Sequence, residues 1–177
     1  MKKFYITGLV ILAFTNFYGQ NKKGDVDVFL QAAPYLTTGE SSDFGLIGIA
    51  GIEFFASDNF SVATNFYSSN NSLFNNDSGI TIRSYGILAT GQYYFLNLEK
   101  WSAYGQAGFG FGIDDYTANN IDNSALVLWN IGAGANYRFS EKLYLKVLIP
   151  YFNAKNTTRD FTAAKGATAF LGFGYKF

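Results

Sequence analysis

The stretch ATAFLGFGYKF, residues 167–177, alternates two sets of side chains along its length. One parity is apolar or aromatic throughout: Ala167, Ala169, Leu171, Phe173, Tyr175 and Phe177. The other holds Thr168, Phe170, Gly172, Gly174 and Lys176. A period of two places these sets on opposite faces of a β-strand. The apolar face continues to the last residue, where a soluble chain usually frays into polar residues. A sheet in lipid must instead pair its final strand, because lipid tolerates no open edge. The stretch therefore predicts the closing strand of a membrane barrel.

Seven earlier segments alternate in the same way, so the pattern is a property of the whole chain. The predicted strands are 26–36, 44–55, 60–68, 80–96, 101–113, 125–139, 143–152 and the terminal stretch. Short turns at 57–59, 97–100 and 140–142 alternate with longer polar stretches at 37–43, 69–79, 114–124 and 153–164. Short periplasmic turns opposite longer extracellular loops are typical of an up-and-down outer-membrane barrel. The sequence predicts an all-β fold, a single eight-stranded antiparallel up-and-down transmembrane β-barrel.

The two predicted faces indicate which one meets lipid. The polar parity is rich in Gly, Ser and Asn and carries few charges, whereas a water-facing exterior would be richer in Lys and Glu. The apolar parity has aromatic residues near the strand ends, as a lipid-facing belt requires. We therefore expect the small polar residues to face a narrow lumen, which in an eight-stranded barrel has room only for side chains. A soluble lipocalin-like carrier, with the apolar set inside, is a less favoured alternative.

The N-terminal residues have the pattern of an export signal. Lys2 and Lys3 precede an apolar run at residues 4–14, which is too short to span a bilayer as a helix. Residues 1–20 are predicted to be a cleaved secretory signal peptide, which leaves residues 21–177 as one barrel domain. A short buried helix is the alternative for the run. The position of cleavage stays open, because Phe17 and Tyr18 depart from the small-residue rule at the cleavage site.

Composition narrows the functional classes. The chain has no Cys and no His, and without the two N-terminal lysines it holds 11 basic against 13 acidic residues. This balance lacks the basic patch of a nucleic-acid-binding protein. Without His, the general base of the known barrel enzymes is missing, so we expect no enzymatic activity and no cofactor. Asp114, Asp115 and Asp122 are expected to be solvated loop residues. The alternatives are a two-carboxylate site at Asp114 and Asp115 and an oxygen-ligated divalent cation held by all three.

The chain resembles the small eight-stranded outer-membrane barrels of the OmpA/OmpX-like class over almost all of residues 21–177. The resemblance rests on the ending Gly172–Phe177, on Ala103–Gly112 and on Gly51–Asn59. It implies integration into the outer membrane, with outer-membrane lipid, periplasmic chaperones and the barrel-assembly machinery as partners. Phe173, Tyr175 and Phe177 are then the signal that this machinery reads. The class implies no single shared activity and no particular extracellular partner.

Four charges on the predicted inner face suggest a cluster in the lumen: Glu53, Arg83, Arg138 and Lys146. Because an unpaired charge in a narrow barrel is costly, we expect an ion-pair network; the alternative is that each side chain extends to a water-filled end. The expected role is structural or adhesive. A narrow pore is the runner-up, and the inward apolar residues Ile47, Ile49, Leu148 and Phe170 argue against it.

Overall fold

The computed structural model describes residues 21–36, 44–75, 82–116, 123–158 and 162–177. The predicted signal peptide at residues 1–20 and the loop at 37–43 lie outside these ranges. The strands are β1 (Val26–Leu36), β2 (Phe44–Ser57), β3 (Phe60–Asn75), β4 (Ile82–Asn97), β5 (Trp101–Tyr116), β6 (Ser124–Arg138), β7 (Leu143–Asn156), β8 (Thr162–Ala167) and β9 (Phe170–Lys176). The described ranges contain no α-helix long and apolar enough to cross a membrane.

The strands form one closed antiparallel barrel. Each of β1 to β7 pairs with its sequence neighbour, and β9 pairs with both β7 and β1 to close the ring. β8 and β9 together occupy the eighth position in the wall, so the predicted eight-stranded up-and-down barrel is confirmed. The terminal stretch is its closing strand, and the Phe177 amide donates to the Val26 carbonyl oxygen at 3.0 Å.

The eighth strand is interrupted at residues 168 and 169, which alternation did not predict. The ladder between β1 and β9 stops at Ala32 and Leu171, two residues before Pro34. The chain's other proline, Pro150, lies beside the same interruption on β7, so both prolines lie next to the break. Proline has no N–H to donate to a ladder. Thr168 connects the two sides, because its amide donates to the Pro150 carbonyl at 3.3 Å and its hydroxyl to the Pro34 carbonyl at 2.5 Å.

Several strands are longer than predicted. β3 reaches Asn75, β5 reaches Tyr116 and β7 reaches Asn156, so parts of the expected loops at 69–79, 114–124 and 153–164 are strand. Backbone pairing continues past the point where the outer face loses its apolar residues, because ladder hydrogen bonds do not depend on lipid contact. A strand of 16 residues is about 53 Å long. Tilted by about 40°, it rises about 40 Å against an apolar band of about 25 Å.

The side chains have the inside-out distribution expected of a barrel in lipid. Large apolar residues are exposed on the outer face: Leu30, Ile52, Phe54, Phe66, Ile87, Phe109, Phe111, Ile131, Ile149, Leu171 and Phe173. The lumen holds buried polar side chains such as Gln31, Asn65, Gln92 and Asn130, together with aromatic rings. A soluble carrier would show the reverse arrangement, so the lipocalin-like alternative does not fit the fold.

Candidate functional site

The turn-side half of the lumen contains a buried ion pair between β2 and β7. Lys146 Nζ lies 2.9 Å from Glu53 Oε2, and both side chains are excluded from solvent. These residues are 93 positions apart in sequence, and the closed ring brings them together across the lumen. Two opposite charges buried at hydrogen-bond distance compensate each other for lost hydration.

Neutral donors and aromatic rings complete this cluster. Glu53 Oε1 accepts hydrogen bonds from Ser61 Oγ at 2.5 Å and from Tyr94 OH at 2.6 Å. Lys146 Nζ also donates to Gln92 Oε1 at 3.4 Å. Its ammonium lies 4.5 Å from the ring centroid of Phe29 and 4.7 Å from that of Tyr104, which is within cation–π range. We call the residues Glu53, Lys146, Ser61, Tyr94, Gln92, Phe29 and Tyr104 the lumen plug.

Two of the four charges expected in one network lie elsewhere. Arg83 is exposed on the outer face of β4, in register with Asp115 of β5, so it cannot meet Glu53. Arg138 is half-buried at the turn end of β6, where its electrostatic neighbours are Asp25 and Asp27. The expectation for Arg83 is therefore wrong: its strand has Ser84, Leu88 and Gln92 on the inner parity and Arg83 on the outer one.

A further set of charges lies at the turn end below the lumen plug. Lys176 Nζ lies 2.5 Å from Asp25 Oδ2, and Asp27 is buried beside the Tyr144 hydroxyl. The alternation places Asp27 and Tyr144 on the inner face, but neither they nor Asp25 were among the charges predicted to form a network. Asp27 lies on the same strand parity as the inward Gln31, and this shared parity is the sequence feature that indicates its inward position.

The loop-side end of the lumen holds a second buried carboxylate, Asp114 of β5. It accepts hydrogen bonds from Ser84 Oγ at 2.5 Å, Asn156 Nδ2 at 3.2 Å and Tyr116 OH at 3.4 Å. Asn156 Nδ2 also donates to Tyr116 OH at 3.0 Å. The expectation that Asp114 is a solvated loop residue is wrong, because β5 continues past Ile113 and turns this side chain inward. We call Asp114, Ser84, Tyr116 and Asn156 the loop-side cluster.

The structure does not place the other two candidate cation ligands, Asp115 and Asp122, beside Asp114. Asp115 is half-buried on the opposite parity, and Asp122 lies outside the described residues. Within the described ranges, no three His, Cys, Asp or Glu residues lie close enough to hold a metal ion.

Apolar side chains fill much of the lumen between the two polar levels. Ile47, Ile49, Leu148 and Phe170 are all buried, on the inner face where the alternation placed them. Leu88, Leu126, Leu128 and Phe152 add to this layer. Glycines make room for the larger inward rings: a Cβ on Gly134 would collide with the Tyr104 ring, and one on Gly174 with the Tyr144 ring.

The terminal residues lie on the outer wall at the turn end. Phe173 and Phe177 are exposed on the lipid-facing side, and Phe177 packs edge-on against Tyr175 with 5.1 Å between ring centroids. Lys142 of the neighbouring turn lies 5.5 Å from the Tyr175 ring centroid. This aromatic group has the geometry of an interfacial girdle.

A closed barrel with an apolar exterior and a filled lumen is an integral outer-membrane protein of the small-barrel class. The profile of the outer membrane protein beta-barrel domain family matches residues 2–177, and the chain belongs to this family. The family and its structural neighbours indicate the outer membrane as its location. No sequence among curated proteins matches the chain.

Solved structures support the same fold. Neisserial surface protein A (NspA) has a TM-score of 0.68 at 15% identity, covering 87% of this chain and 98% of that one. Ail, the attachment invasion locus protein of Yersinia pestis, has a TM-score of 0.60 at 16% identity, covering 88% and 99%. The N-terminal β-barrel domain of Pseudomonas aeruginosa OprF has a TM-score of 0.59 at 18% identity, covering 88% and 98%. At these identities the likeness concerns the fold alone.

Proposed function

We propose that this barrel is non-conducting and non-enzymatic, and that it serves a structural or surface-interaction role in the outer membrane. The observation that carries this proposal is the filled lumen. The Glu53–Lys146 ion pair lies across its turn-side half, and buried residues such as Ile47, Leu148 and Phe170 fill the layer above it. A lumen occupied by side chains leaves the loop ends and the outer wall as the surfaces that contact other molecules.

The surface-interaction part of the proposal rests on the loop side of the barrel. Strands such as β3 and β5 extend beyond the apolar band, and Asn, Ser and Asp are frequent in the sequence at 69–79 and 114–124. Polar strands that project into water present their side chains to a partner. Ail, whose name refers to attachment, and its complex with the heparin analogue sucrose octasulfate supply a first probe.

We further propose the route by which the chain reaches the membrane. Residues 1–20 direct secretion and are cleaved, periplasmic chaperones carry the unfolded barrel, and the assembly machinery reads Phe173, Tyr175 and Phe177. Deleting Phe177 removes one girdle ring and the amide that donates to Val26. We expect secretion to continue while the folded fraction in the outer membrane falls about tenfold or more, measured by heat-modifiable migration of membrane extracts. Equal folded fractions for the deletion and the wild type would refute the signal role.

A narrow channel is the second candidate, and one observation favours it. Hydrogen-bonded polar side chains follow one side of the lumen above the plug, with Asn65 Nδ2 donating to Thr90 Oγ1 at 2.7 Å and Gln106 Nε2 to Asn130 Oδ1 at 3.0 Å. Such a track could carry water if the ion pair separated.

Single-channel recording in a planar bilayer separates the two candidates. We expect the purified wild-type barrel to give no discrete conductance steps, with a large porin as the positive control for insertion. Steady steps that become larger or more frequent in Glu53→Gln, which breaks the ion pair, would establish the channel instead.

Surface interaction is tested with proteoliposomes on a panel of immobilised glycans in which heparin is the polyanionic member. Residues 76–81 and 117–122 hold Asp77 and Asp122 and no basic residue, so we expect retention on uncharged or cationic members and none on heparin. Shortening these two segments should abolish that retention, and substituting Glu99 and Lys100 in a turn at the opposite end is the matched control. Retention that is unaffected by the shortening would contradict a loop-borne interaction.

A further inference from the structure

Two lysines project from the outer wall at the loop end, on neighbouring strands. Lys155 of β7 is exposed between the inward Ala154 and Asn156, and Lys165 of β8 is exposed next to the inward Ala164. Asn153 pairs with Lys165 in the β7–β8 ladder, two residues before Lys155. The two ammonium groups therefore share one outward face of adjacent strands, with Asn153 between them along β7.

These lysines lie at the upper edge of the apolar band. Lys155 is 12 residues beyond Leu143, where β7 begins at the turn end. At about 3.3 Å per residue and a tilt of about 40°, Lys155 stands about 30 Å above that point, against an apolar band of about 25 Å. Lipid headgroups, and not acyl chains, occupy this level of a membrane.

The wall beside and below the lysines is shaped for acyl chains. Trp129 is in register with Asn153 and stacks against Tyr151, with ring centroids 5.5 Å apart and planes at 29°. Ile131 and Ile149 are exposed beneath them on the same face. A lipid lying along this face would set its chains against the rings and its headgroup against Lys155 and Lys165.

Within the described residues, no acidic side chain on these strands balances the positive charges of Lys155 and Lys165. In the described parts of β6 to β9, no outward-facing side chain is acidic. Arg83, the outward cation at the loop end of β4, differs because it is in register with Asp115. The patch thus offers two cations for an anion.

We propose that Lys155 and Lys165 bind the phosphorylated sugar headgroup of an outer-leaflet glycolipid of the lipid A type. The two ammonium groups bind phosphate, and the acyl chains lie over Trp129 and Tyr151. The site requires only the outer-membrane location, so it stands or falls separately from a loop-borne surface role.

The test uses the full-length barrel in detergent micelles, with Trp101→Phe as background. The chain has two tryptophans, so this background leaves Trp129 as the sole fluorescent reporter beside the site. Bis-phosphorylated lipid A is titrated against the same lipid A after enzymatic dephosphorylation. We expect tighter binding of the phosphorylated form. K155Q/K165Q should weaken it about thirtyfold, since each cation near the surface contributes about a factor of five.

Three controls keep the outcome decisive. Arg83→Gln should leave binding unchanged, and K155R/K165R, which keeps both charges, should bind within about threefold of the wild type. Heat-modifiable migration verifies that each variant is folded. Equal affinity for both lipids, or an equal loss in Arg83→Gln, would overturn the proposal. So would sucrose octasulfate binding at the same lysines more tightly than lipid A, because the site would then belong to a soluble polyanion.

Discussion

Two of the carboxylates that the barrel buries, Glu53 and Asp114, lie toward opposite ends of the lumen and are stabilised in different ways. Glu53, on the turn side, faces the ammonium of Lys146 at 2.9 Å as well as two hydroxyl donors. Asp114, on the loop side, is held by Ser84, Asn156 and Tyr116, all of them neutral. The lumen plug therefore depends on a charge located across the barrel. The loop-side cluster depends on donors that come from its own end of the wall, and this difference predicts unequal sensitivity to substitution.

The largest effect is expected at the ion pair. Glu53→Ala leaves Lys146 buried without its counter-charge, which should lower the free energy of unfolding by about 3–5 kcal/mol. Urea titration of the barrel in lipid vesicles, followed by tryptophan fluorescence, measures this change. The double variant Glu53→Gln, Lys146→Met removes both charges and should recover much of the loss. A double variant as unstable as Glu53→Ala would show that packing, and not charge, holds the plug.

The next effect is expected where a glycine makes room for a ring of the plug. A Cβ on Gly134 would collide with the Tyr104 ring, which contacts Lys146, and with the Val147 carbonyl oxygen, so Gly134→Ala should cost about 1–3 kcal/mol. Gly91→Ala is the matched control, because its Cβ would lie 3.7 Å from the Phe60 ring, in ordinary contact. The same urea titration compares the two variants. Similar costs at both sites would mean that the added methyl disturbs strands in general.

The smallest effect is expected at the loop-side carboxylate. Asp114→Asn keeps the shape and one acceptor oxygen but loses the charged one, so about 1 kcal/mol should be lost. The loss should match that of Ser84→Ala within error, since both variants remove hydrogen bonds and strand no ion. A loss as large as that of Glu53→Ala would contradict the contrast and would indicate that Asp114, like Glu53, is stabilised by a cation.

Much of the fold follows from side-chain parity alone. β1 has the predicted bounds, and the inner face of β2 and β7 correctly received Glu53 and Lys146. The parity of a residue in its strand indicates which face of the wall its side chain is on, but not how high along the barrel axis it lies. That height depends on how far each strand is staggered against its neighbour. For that reason the sequence could not pair Glu53 with one particular cation among three.

The errors have local physical causes. Arg83 was predicted to point inward because the fourth strand mixes aromatic and small residues on both parities. The loop end of β4, where Arg83 lies, is above the lipid, so an outward charge there carries no energetic penalty. Asp114 was assigned to a loop because apolar alternation ends at Ile113, although its parity with Gly110 and Gly112 places it inward. For the interruption near Thr168, the two prolines are the one feature of the sequence that indicates a break. Pro34 and Pro150 lie far apart in sequence, and only the registers of β1, β7 and the β8–β9 strand bring them together.

That interruption gives the barrel wall a point of unequal stiffness. Around the rest of the described ring, ladders with local register shifts join adjacent strands, whereas β8 is paired with β7 alone and Thr168 reaches Pro34 and Pro150 through single hydrogen bonds. A ring of paired strands opens first where the fewest hydrogen bonds join neighbouring strands. We therefore expect transient opening of the wall at residues 167–170. The amide protons of these residues should exchange earliest with solvent deuterium.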